Sequence, residues 1–447
     1  MAKRLVVVGG VAGGASAAAK AKRVDPNLQV DVFEKGEYVS YGACGIPYYI
    51  GGVIEKAEKL IVRTPEQFES QGISVHLKSD VKSIDVCKGE VSVFNSSEGR
   101  EEVYAFDSLV IATGAIPVKP PIPGVDLKGV YTLRRFSDGV EIRNDLELGE
   151  VRKAVIVGGG FIGTEVAEAF RNWGLDVVMV KESEKVLGDF DDVVSKAAKE
   201  ALERHGVTIL TGCRVDALVG GDRVEAVVVD GERIEADLVL ISKGIRPNVE
   251  LAVQAGIMLG PYGGIATNER VETNIPGVFA AGDCAETLHF LTGEPYYKPL
   301  GTTANKMGRV AGTNAAGGEA VFKGVLGTSI IKVFDLGLAK TGFTEEELVA
   351  RGVEFDTVII RARDRAHYFP GGGRFTVKLN WEKAGGRLLG ASLVGPGPSV
   401  LRINALASAI YAGMTIEDLS RQDFAYSPPF SPVWDPLLVA ANRAFGG

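Results

Sequence analysis

A single cysteine, Cys44, lies in a turn of small residues near the N-terminus. The turn spans residues 40–47 (SYGACGIP) and follows a strand-like segment that ends on an acid. A thiol at such a turn, close to the start of the next helix, has its thiolate stabilised by the helix dipole and by free N–H groups. An isolated cysteine is more often a small buried apolar residue. The motifs around this cysteine favour a catalytic role.

The size and charge of the chain restrict its possible functions. With 447 residues, 57 glycines and 46% apolar residues, the chain is expected to form two or three α/β domains. A net charge of -8 with scattered basic residues argues against nucleic-acid binding. No apolar segment reaches the roughly 18 residues that a membrane helix needs. We therefore expect no nucleic-acid partner and no membrane partner.

The cysteine and histidine residues are too dispersed for a metal site or a disulfide framework. The cysteines are Cys44, Cys87, Cys213 and Cys284. So few cysteines in so long a chain predict a reducing compartment and a cytoplasmic location. The four histidines show no paired ligand spacing, so no metal is predicted.

Two segments predict βαβ units that bind dinucleotides. The first runs from a strand over 5–8, through a glycine turn and an alanine-rich helix over 14–23, to a strand over 30–34. The second begins with residues 154–163 (AVIVGGGFIG), a full GxGxxG pattern, whereas Val11 replaces the middle glycine of the first. Small residues let the backbone approach a pyrophosphate at the helix N-terminus, and an acid ending the second strand accepts hydrogen bonds from ribose hydroxyls.

The ends of other strands carry further candidate residues. Strand-to-glycine turns occur at Thr113-Gly114 and at Gly244. Asp283 follows an apolar strand, where we expect it both to cap a helix and to contact a ligand. The proline-rich segment that ends at Pro123 is interpreted as a domain crossing. Toward the C-terminus the pattern changes to alternating strands, which predicts a separate α+β domain.

Together these motifs resemble the flavoprotein family of pyridine nucleotide-disulfide oxidoreductases over essentially the whole chain. The resemblance implies an α/β fold with two Rossmann-like dinucleotide-binding domains and a C-terminal α+β domain. We expect the FAD-binding domain over residues 1–115 and 250–324, the NAD(P)H-binding domain over 116–249 and the dimerisation domain over 325–447. The resemblance also implies a homodimer whose active site is shared between subunits.

The resemblance assigns cofactor contacts to the motif residues. The residues implied for FAD are Gly9, Gly10, Val11, Ala12, Gly14, Glu34, Lys35, Thr113, Gly114 and Asp283. Those implied for the nicotinamide nucleotide are Gly158, Gly160, Gly163, Lys181 and Gly244. Lys181 would attract the 2′-phosphate of NADPH and the adjacent Glu182 would oppose it, so the choice between NADH and NADPH stays open.

The cysteine pattern selects a branch of the family. Members with two redox cysteines have the spacing CxxxxC, and Tyr49 occupies the second position here. The single-cysteine branch contains NADH peroxidases and oxidases, coenzyme A disulfide reductases, and persulfide and polysulfide reductases. Peroxidase-like members carry a histidine just inside the first glycine turn, where this chain has Val11 and Ala12.

Three segments resemble the coenzyme A disulfide reductase group: the SxxxCxxP turn, residues 367–372 (HYFPGG) and residues 426–434 (YSPPFSPVW). The resemblance implies that Tyr368 and Tyr426 reach the thiol site of the partner subunit. Ala43 replaces a polar residue of some members. The residues that match coenzyme A contacts are Ser16, Lys20, Arg23 and Ser40.

The sequence thus predicts an FAD-dependent NAD(P)H oxidoreductase in which Cys44 forms a mixed disulfide with a small-molecule thiol. The acceptor stays open among coenzyme A disulfide, coenzyme A persulfide, polysulfide and sulfur. One alternative is an NADH oxidase that reduces oxygen through a sulfenic acid on Cys44. The other is a flavin-bound redox sensor.

Overall fold

The structure is a computed structural model that describes residues 3–445. Its strands, in chain order, are β1 (Arg4–Val8), β2 (Gln29–Phe33), β3 (Ile73–His76), β4 (Ser79–Asp85), β5 (Glu90–Asn95), β6 (Arg100–Ala105), β7 (Ser108–Ile111), β8 (Ala115–Pro117), β9 (Val130–Thr132), β10 (Lys153–Val157), β11 (Asp176–Lys181), β12 (Val207–Thr211), β13 (Val215–Gly220), β14 (Val224–Val229), β15 (Glu232–Glu235), β16 (Leu238–Ile241), β17 (Ile245–Pro247), β18 (Val278–Ala280), β19 (Thr287–Leu288), β20 (Pro295–Tyr296), β21 (Ser329–Val333), β22 (Leu336–Gly342), β23 (Phe355–Arg363), β24 (Arg374–Glu382) and β25 (Leu388–Pro396). Its α-helices are α1 (Ala12–Val24), α2 (Ile46–Ile50), α3 (Pro65–Glu69), α4 (Phe136–Glu147), α5 (Phe161–Asn172), α6 (Asp192–Arg204), α7 (Glu250–Gln254), α8 (Gly301–Ala315), α9 (Glu345–Ala350), α10 (Ile403–Tyr411), α11 (Ile416–Ser420) and α12 (Pro436–Arg443).

The N-terminal βαβ unit belongs to a parallel sheet with the strand order β18-β7-β1-β2-β3. Its central strand β1 is apolar throughout its buried part, and Leu5, Val6 and Val7 have no exposed surface. Continuous apolar strands are typical of parallel sheets because both of their faces are covered. The predicted strands and helix of this unit are confirmed.

A second parallel sheet, with the strand order β12-β11-β10-β16-β9, repeats this arrangement. In each sheet the strand order reverses beside the strand that precedes the glycine turn, between β1 and β7 and between β10 and β16. Ligands of such sheets bind at this switch point, outside the carboxyl ends of the strands. The predicted pair of Rossmann-like units is therefore confirmed.

The two sheets are linked by a short antiparallel ribbon in which β8 pairs with β17. Each strand of the ribbon follows one of the predicted glycine turns, at Gly114 and Gly244. The side chain of Asn248 and the hydroxyl of Thr113 exchange hydrogen bonds with each other's backbone carbonyls, at 3.3 and 2.6 Å. The two chain segments that join the units thus run side by side next to the switch point of the first sheet.

The C-terminal part forms an antiparallel sheet with the order β21-β22-β25-β24-β23, against which α10 and α12 pack. The predicted α+β domain is confirmed. Buried polar contacts fix this sheet to the second unit. Asp191 accepts hydrogen bonds from Lys378 Nζ at 2.7 Å and from Ser392 Oγ at 2.5 Å, and all three residues are at most 3% exposed.

Within residues 3–445, no helix is long and apolar enough to cross a membrane. In the same part of the chain, no group of three or more histidine, cysteine or acidic side chains is arranged to hold a metal ion.

Helices α1 and α8 cross at unusually short range because glycines face the backbone of the other helix. A Cβ atom on Gly308 would lie 2.2 Å from the carbonyl oxygen of Gly13, and one on Gly312 would lie 2.1 Å from that of Ala17. No side chain fits at either position without moving a helix. Since α1 begins at the first glycine turn, this contact fixes the position of that turn.

We expect Gly312→Val to destabilise the protein by about 2 kcal/mol or more, because the new side chain must separate α1 from α8. Differential scanning calorimetry would record a lower melting temperature. Gly301→Ala is the matched control on the same helix, since no atom lies within 4 Å of its Cβ position, and it should leave the melting temperature almost unchanged. Equal effects of the two substitutions would contradict this interpretation of the helix contact.

Candidate active site

The first glycine turn brings the backbone too close to a neighbouring strand for any side chain. Gly9 has φ +98°, and a Cβ atom there would lie 2.3 Å from the carbonyl oxygen of Ala112. A Cβ atom on Gly14, in the first turns of α1, would lie 1.8 Å from the carbonyl oxygen of Gly9. The turn therefore needs glycine at both positions, and it leaves the N-terminal end of α1 open to a phosphate group.

The second glycine turn has the same geometry. Gly158 has φ +120°, and a Cβ atom there would lie 2.1 Å from the carbonyl oxygen of Ser242, while one on Gly163 would lie 2.3 Å from that of Gly158. Gly160 has no atom within 4 Å of its Cβ position. This turn therefore offers a second cradle of exposed backbone at the end of β10.

The carboxylate of Glu34 holds the first turn together. Its Oε2 accepts a hydrogen bond from the N–H of Gly10 at 2.7 Å, and its Oε1 accepts one from the N–H of Gly36 at 2.8 Å. The neighbouring Lys35 forms an ion pair with Asp80 at 3.1 Å. Glu34 thus fixes the loops around the cradle as well as lining its cavity.

One large cavity of about 2040 Å³ connects the two cradles and the cysteine turn. It is lined by these predicted site residues: Gly9, Val11, Ala12, Glu34, Lys35, Cys44, Thr113, Gly114, Gly160, Gly244 and Asp283. The predicted residues outside its lining are Gly10, Gly14, Ser16, Lys20, Arg23, Ser40, Gly158, Gly163, Lys181, Tyr368 and Tyr426. Gly10, Gly14, Gly158 and Gly163 have the backbone roles just described.

Cys44 lies in a single 3₁₀ turn, Ala43–Gly45, that directly precedes α2. Its thiol is exposed to the large cavity, although protein surrounds it on several sides. Burial, followed by the charges of Glu165 and Asp283, raises the pKa of Cys44 above its usual value, and Arg134 and a backbone N–H lower it by less. A backbone N–H of the turn does stabilise the thiolate, as predicted, but burial and the nearby carboxylates outweigh this effect, so the net shift of the pKa is upward.

Asp283 pairs with Arg134 across the cavity, with 2.8 Å between Oδ2 and Nη2. The prediction that Asp283 also caps a helix is wrong, because no helix follows it and the chain turns instead toward strand β19. The backbone carbonyl of Asp283 accepts a hydrogen bond from the Tyr297 hydroxyl at 2.8 Å. Arg134 is a site residue that sequence reasoning missed, since it follows the short strand β9 and belongs to no recognisable motif.

Glu165, on the first turns of α5, also lines the cavity and was missed. Burial, and then the charge of Glu168, raises the pKa of Glu165 to about 7, while a hydrogen bond from Tyr48 and the charge of Lys332 lower it. Its position one helical turn after Gly160 in the second glycine motif was the available signal. A carboxyl group with a strongly raised pKa that lines the same cavity as a thiol is typical of a functional site.

The residues predicted to contact coenzyme A lie on α1 and at the start of the cysteine turn, and none of them lines the large cavity. Ser16 on α1 hydrogen-bonds Asn305 on α8, with 2.5 Å between Oγ and Oδ1. Lys20 is half-buried and Arg23 is exposed, one and two turns further along α1. Ser40 has φ +50° and its N–H donates to the carbonyl of Gly10 at 2.9 Å, so its backbone links the cysteine turn to the first glycine turn.

Tyr368 and Tyr426 come together in the structure although they are far apart in sequence. Their hydroxyl oxygens are 2.8 Å apart. The two side chains are 62% and 44% exposed, and Phe430 and Trp434 beside Tyr426 in sequence are 77% and 62% exposed. Neither tyrosine lines the large cavity of its own chain.

At the end of β11, Lys181 is followed by the exposed Glu182. Glu182 forms an ion pair with Lys243, next to the turn at Gly244. The acidic and basic side chains at this strand end therefore partly neutralise each other.

Comparison with known proteins agrees with this geometry. The family described as pyridine nucleotide-disulphide oxidoreductase matches residues 3–316, and its dimerisation domain matches residues 328–436. The chain is 45% identical, over 98% of each sequence, to the NAD(P)H sulfur oxidoreductase (CoA-dependent) of Pyrococcus furiosus. It is 34% identical to an NADH oxidase of Methanocaldococcus jannaschii, over 99% of this chain and 98% of the other.

Among solved structures, a NAD-dependent persulfide reductase from A. fulgidus superimposes with a TM-score of 0.95 at 38% identity, over 99% of this chain and 83% of the other. The family matches cover both the glycine-turn units and the C-terminal sheet. The chain therefore belongs to the pyridine nucleotide-disulphide oxidoreductase family.

Proposed function

We propose that this protein is an FAD-dependent NAD(P)H oxidoreductase that reduces coenzyme A disulfide, coenzyme A persulfide or polysulfide through Cys44. The observation that carries the proposal is the position of Cys44, whose thiol opens into the one cavity that both glycine cradles share. A single protein thiol suffices, because the substrate supplies the second sulfur of the exchanged disulfide.

The residues of the first cradle fit FAD. The turn at Gly9 leaves room for a pyrophosphate only because side chains are absent, and Glu34 faces the cavity at the end of β2, where an acid accepts from a ribose. When bound there, FAD would supply the two-electron transfer between NAD(P)H and sulfur that protein side chains cannot perform. Thr113, Gly114 and Asp283 are the further residues that we assign to FAD.

The second cradle fits the nicotinamide nucleotide. Gly158, Gly160 and Gly163 are assigned to its pyrophosphate, and Lys181 to its ribose end. Lys181 favours a 2′-phosphate and Glu182 opposes one, but Glu182 is already paired with Lys243. We therefore propose that both NADH and NADPH are used.

The chain's own part in the reaction is thiol exchange. The thiolate of Cys44 attacks one sulfur of the substrate, which forms a protein mixed disulfide and releases the other sulfur as a thiolate. Reduction of the mixed disulfide then regenerates Cys44 and releases the second thiol. One NAD(P)H and one proton are consumed for each disulfide converted to two thiols.

Basic side chains support coenzyme A as the thiol carrier. Lys20 and Arg23 follow Ser16 along α1, and Ser16 contacts Asn305 on α8. Arg309 lies one helical turn after Asn305 and is exposed. Donors and cations on two adjacent helices suit the phosphates of coenzyme A.

The exposed aromatic residues support a homodimer with a shared site. Phe430, Trp434, Tyr368 and Tyr426 form part of the matched dimerisation domain or its immediate neighbourhood. Large exposed apolar patches mark interaction surfaces. We assign the hydroxyl pair of Tyr368 and Tyr426 to the Cys44 site of the partner subunit, where a hydroxyl donates a proton to the departing thiolate.

An NADH oxidase is the second candidate, because a relative of that name matches nearly the whole chain at 34% identity. In that case oxygen would be the acceptor and Cys44 would cycle through a sulfenic acid. Oxygen uptake that is independent of added disulfide would favour this candidate.

Cys44→Ser should retain bound FAD and lose reduction of coenzyme A disulfide by about 100-fold or more, since serine cannot form the mixed disulfide. NAD(P)H consumption with coenzyme A disulfide under anaerobic conditions measures the loss. Cys87→Ser is the control, because Cys87 is exposed and lies outside the cavity. Normal turnover by Cys44→Ser would contradict the proposed function.

Tyr426→Phe should slow the release of substrate thiol by about tenfold or more, because the proton donor to the leaving thiolate is lost. The bleaching of flavin absorbance by NADH, followed by stopped flow, should stay normal. Tyr262→Phe, another exposed tyrosine outside the cavity, is the control. Slower bleaching with unchanged thiol release would oppose the assigned role.

A further inference from the structure

Glu165 lines two separate spaces that differ greatly in size. One is the large cavity that contains Cys44, and the other is a recess of about 10 Å³ beside Tyr48, Val53 and Asn172, with room for about one water molecule. Val53 is 66% exposed, which places the recess at the protein surface. Of residues 3–445, only Pro47 and Glu165 line both spaces, and Pro47 has no group that binds a proton.

Helix α5, which carries Glu165, packs on helix α2, which follows the cysteine turn. Helix α2, which follows Cys44 directly, packs on α5: Gly51 lies so close to Ala169 that an added Cβ atom would be 3.0 Å from its Cα. The indole N–H of Trp173 donates to the carbonyl of Ile50 at 2.7 Å. The helix that carries Glu165 and the helix that follows Cys44 are thus joined by packing and by a hydrogen bond.

The charged and titratable groups that face Glu165 come from three elements. Tyr48 lies on α2, Glu168 on the next turn of α5 and Lys332 on β21. Glu168 is engaged elsewhere, since it pairs with Lys332 and accepts the N–H of Phe334 at 2.8 Å. Among the described residues, no cation lies within ion-pair distance of Glu165 itself.

These surroundings make Glu165 able both to give and to take a proton. Burial and the charge of Glu168 raise its pKa to about 7. Its charge is also the first cause, after burial, that raises the pKa of the Cys44 thiol. The two groups therefore interact electrostatically within one cavity.

We propose that Glu165 carries protons between the surface recess and the Cys44 site. The carboxylic acid of Glu165 gives its proton, through cavity water, to a thiolate sulfur at Cys44, and the carboxylate takes a new proton from water in the recess beside Tyr48. Each disulfide reduced needs one proton from solvent, because the two product thiols take up two hydrogens and the hydride of NAD(P)H supplies one. This inference rests on the proposed function and adds the route of that proton.

The test compares pH profiles of disulfide reduction by the FAD-loaded enzyme with NADH and coenzyme A disulfide. In the wild type, turnover should fall as pH rises through the pKa of Glu165, since the protonated form is needed. Glu165→Gln should lose this alkaline limb and reduce turnover at about pH 6 by about 100-fold. Matching flavin content and melting temperature would exclude a folding defect.

Two further variants should shift the alkaline limb of the pH profile of turnover in opposite directions. Tyr48→Phe removes a hydrogen bond that lowers the pKa of Glu165, so its limb should move to higher pH. Glu168→Gln removes a negative charge that raises this pKa and releases Lys332, so its limb should move to lower pH. A purely structural role for Glu165 predicts no such opposite shifts, and shifts in one direction or none would overturn the proposal.

A measurement without turnover completes the test. Mass spectrometry can follow the alkylation of Cys44 by iodoacetamide in the reduced FAD-loaded enzyme. The midpoint of the pH profile of the alkylation rate should lie at lower pH in Glu165→Gln than in the wild type. Identical profiles would overturn the proposal even if turnover changed. Cys44→Ser distinguishes a failure of the proposed function from a failure of the proton route. If Cys44→Ser retains turnover, the proposed function is wrong. If only the effects predicted for the Glu165 variants are missing, the proton route alone is wrong.

Discussion

Close backbone packing at two glycine turns shapes the cavity around which the two parallel sheets are arranged. The carbonyl oxygens of Ala112 and Ser242 approach Gly9 and Gly158 so closely that a methyl group could not be placed there. Each turn lies where the strand order of a parallel sheet reverses, so both present open backbone to the same cavity. The position of Cys44 has chemical meaning because its turn lines the same cavity as both cradles.

The electrostatics of the cysteine turn oppose a free thiolate. Burial, Glu165 and Asp283 raise the pKa of Cys44, and the single nearby guanidinium of Arg134 is already paired with Asp283. Ionising this thiol therefore costs more than ionising a free cysteine in water. Of the two carboxyl groups, Glu165 is the one that we propose as the proton carrier, so the group that supplies protons to the sulfur also raises the pKa of the Cys44 thiol.

The sequence predicted those features of the structure that depend on residues close to one another along the chain. Apolar strands, the glycine turns at Gly9 and Gly158 and the change to alternating strands in the C-terminal part are all determined within short segments, and these predictions are confirmed. The helix expected after Asp283 is absent, because the strand that precedes it leads into a hairpin instead. Arg134 and Asn305 escaped prediction because their importance depends on tertiary packing that no spacing encodes. Glu165 was missed although it closely follows the second glycine motif.

In the proposed reaction, the Cys44 thiol exchanges with a small-molecule disulfide inside the shared cavity. Peptide mass spectrometry of the FAD-loaded protein, after incubation with coenzyme A disulfide and without NAD(P)H, tests this exchange. We predict one coenzyme A in disulfide linkage to the peptide that contains Cys44, which is released when NAD(P)H is added. An unmodified Cys44, with coenzyme A attached instead to the exposed Cys87 or to no residue, would contradict the account.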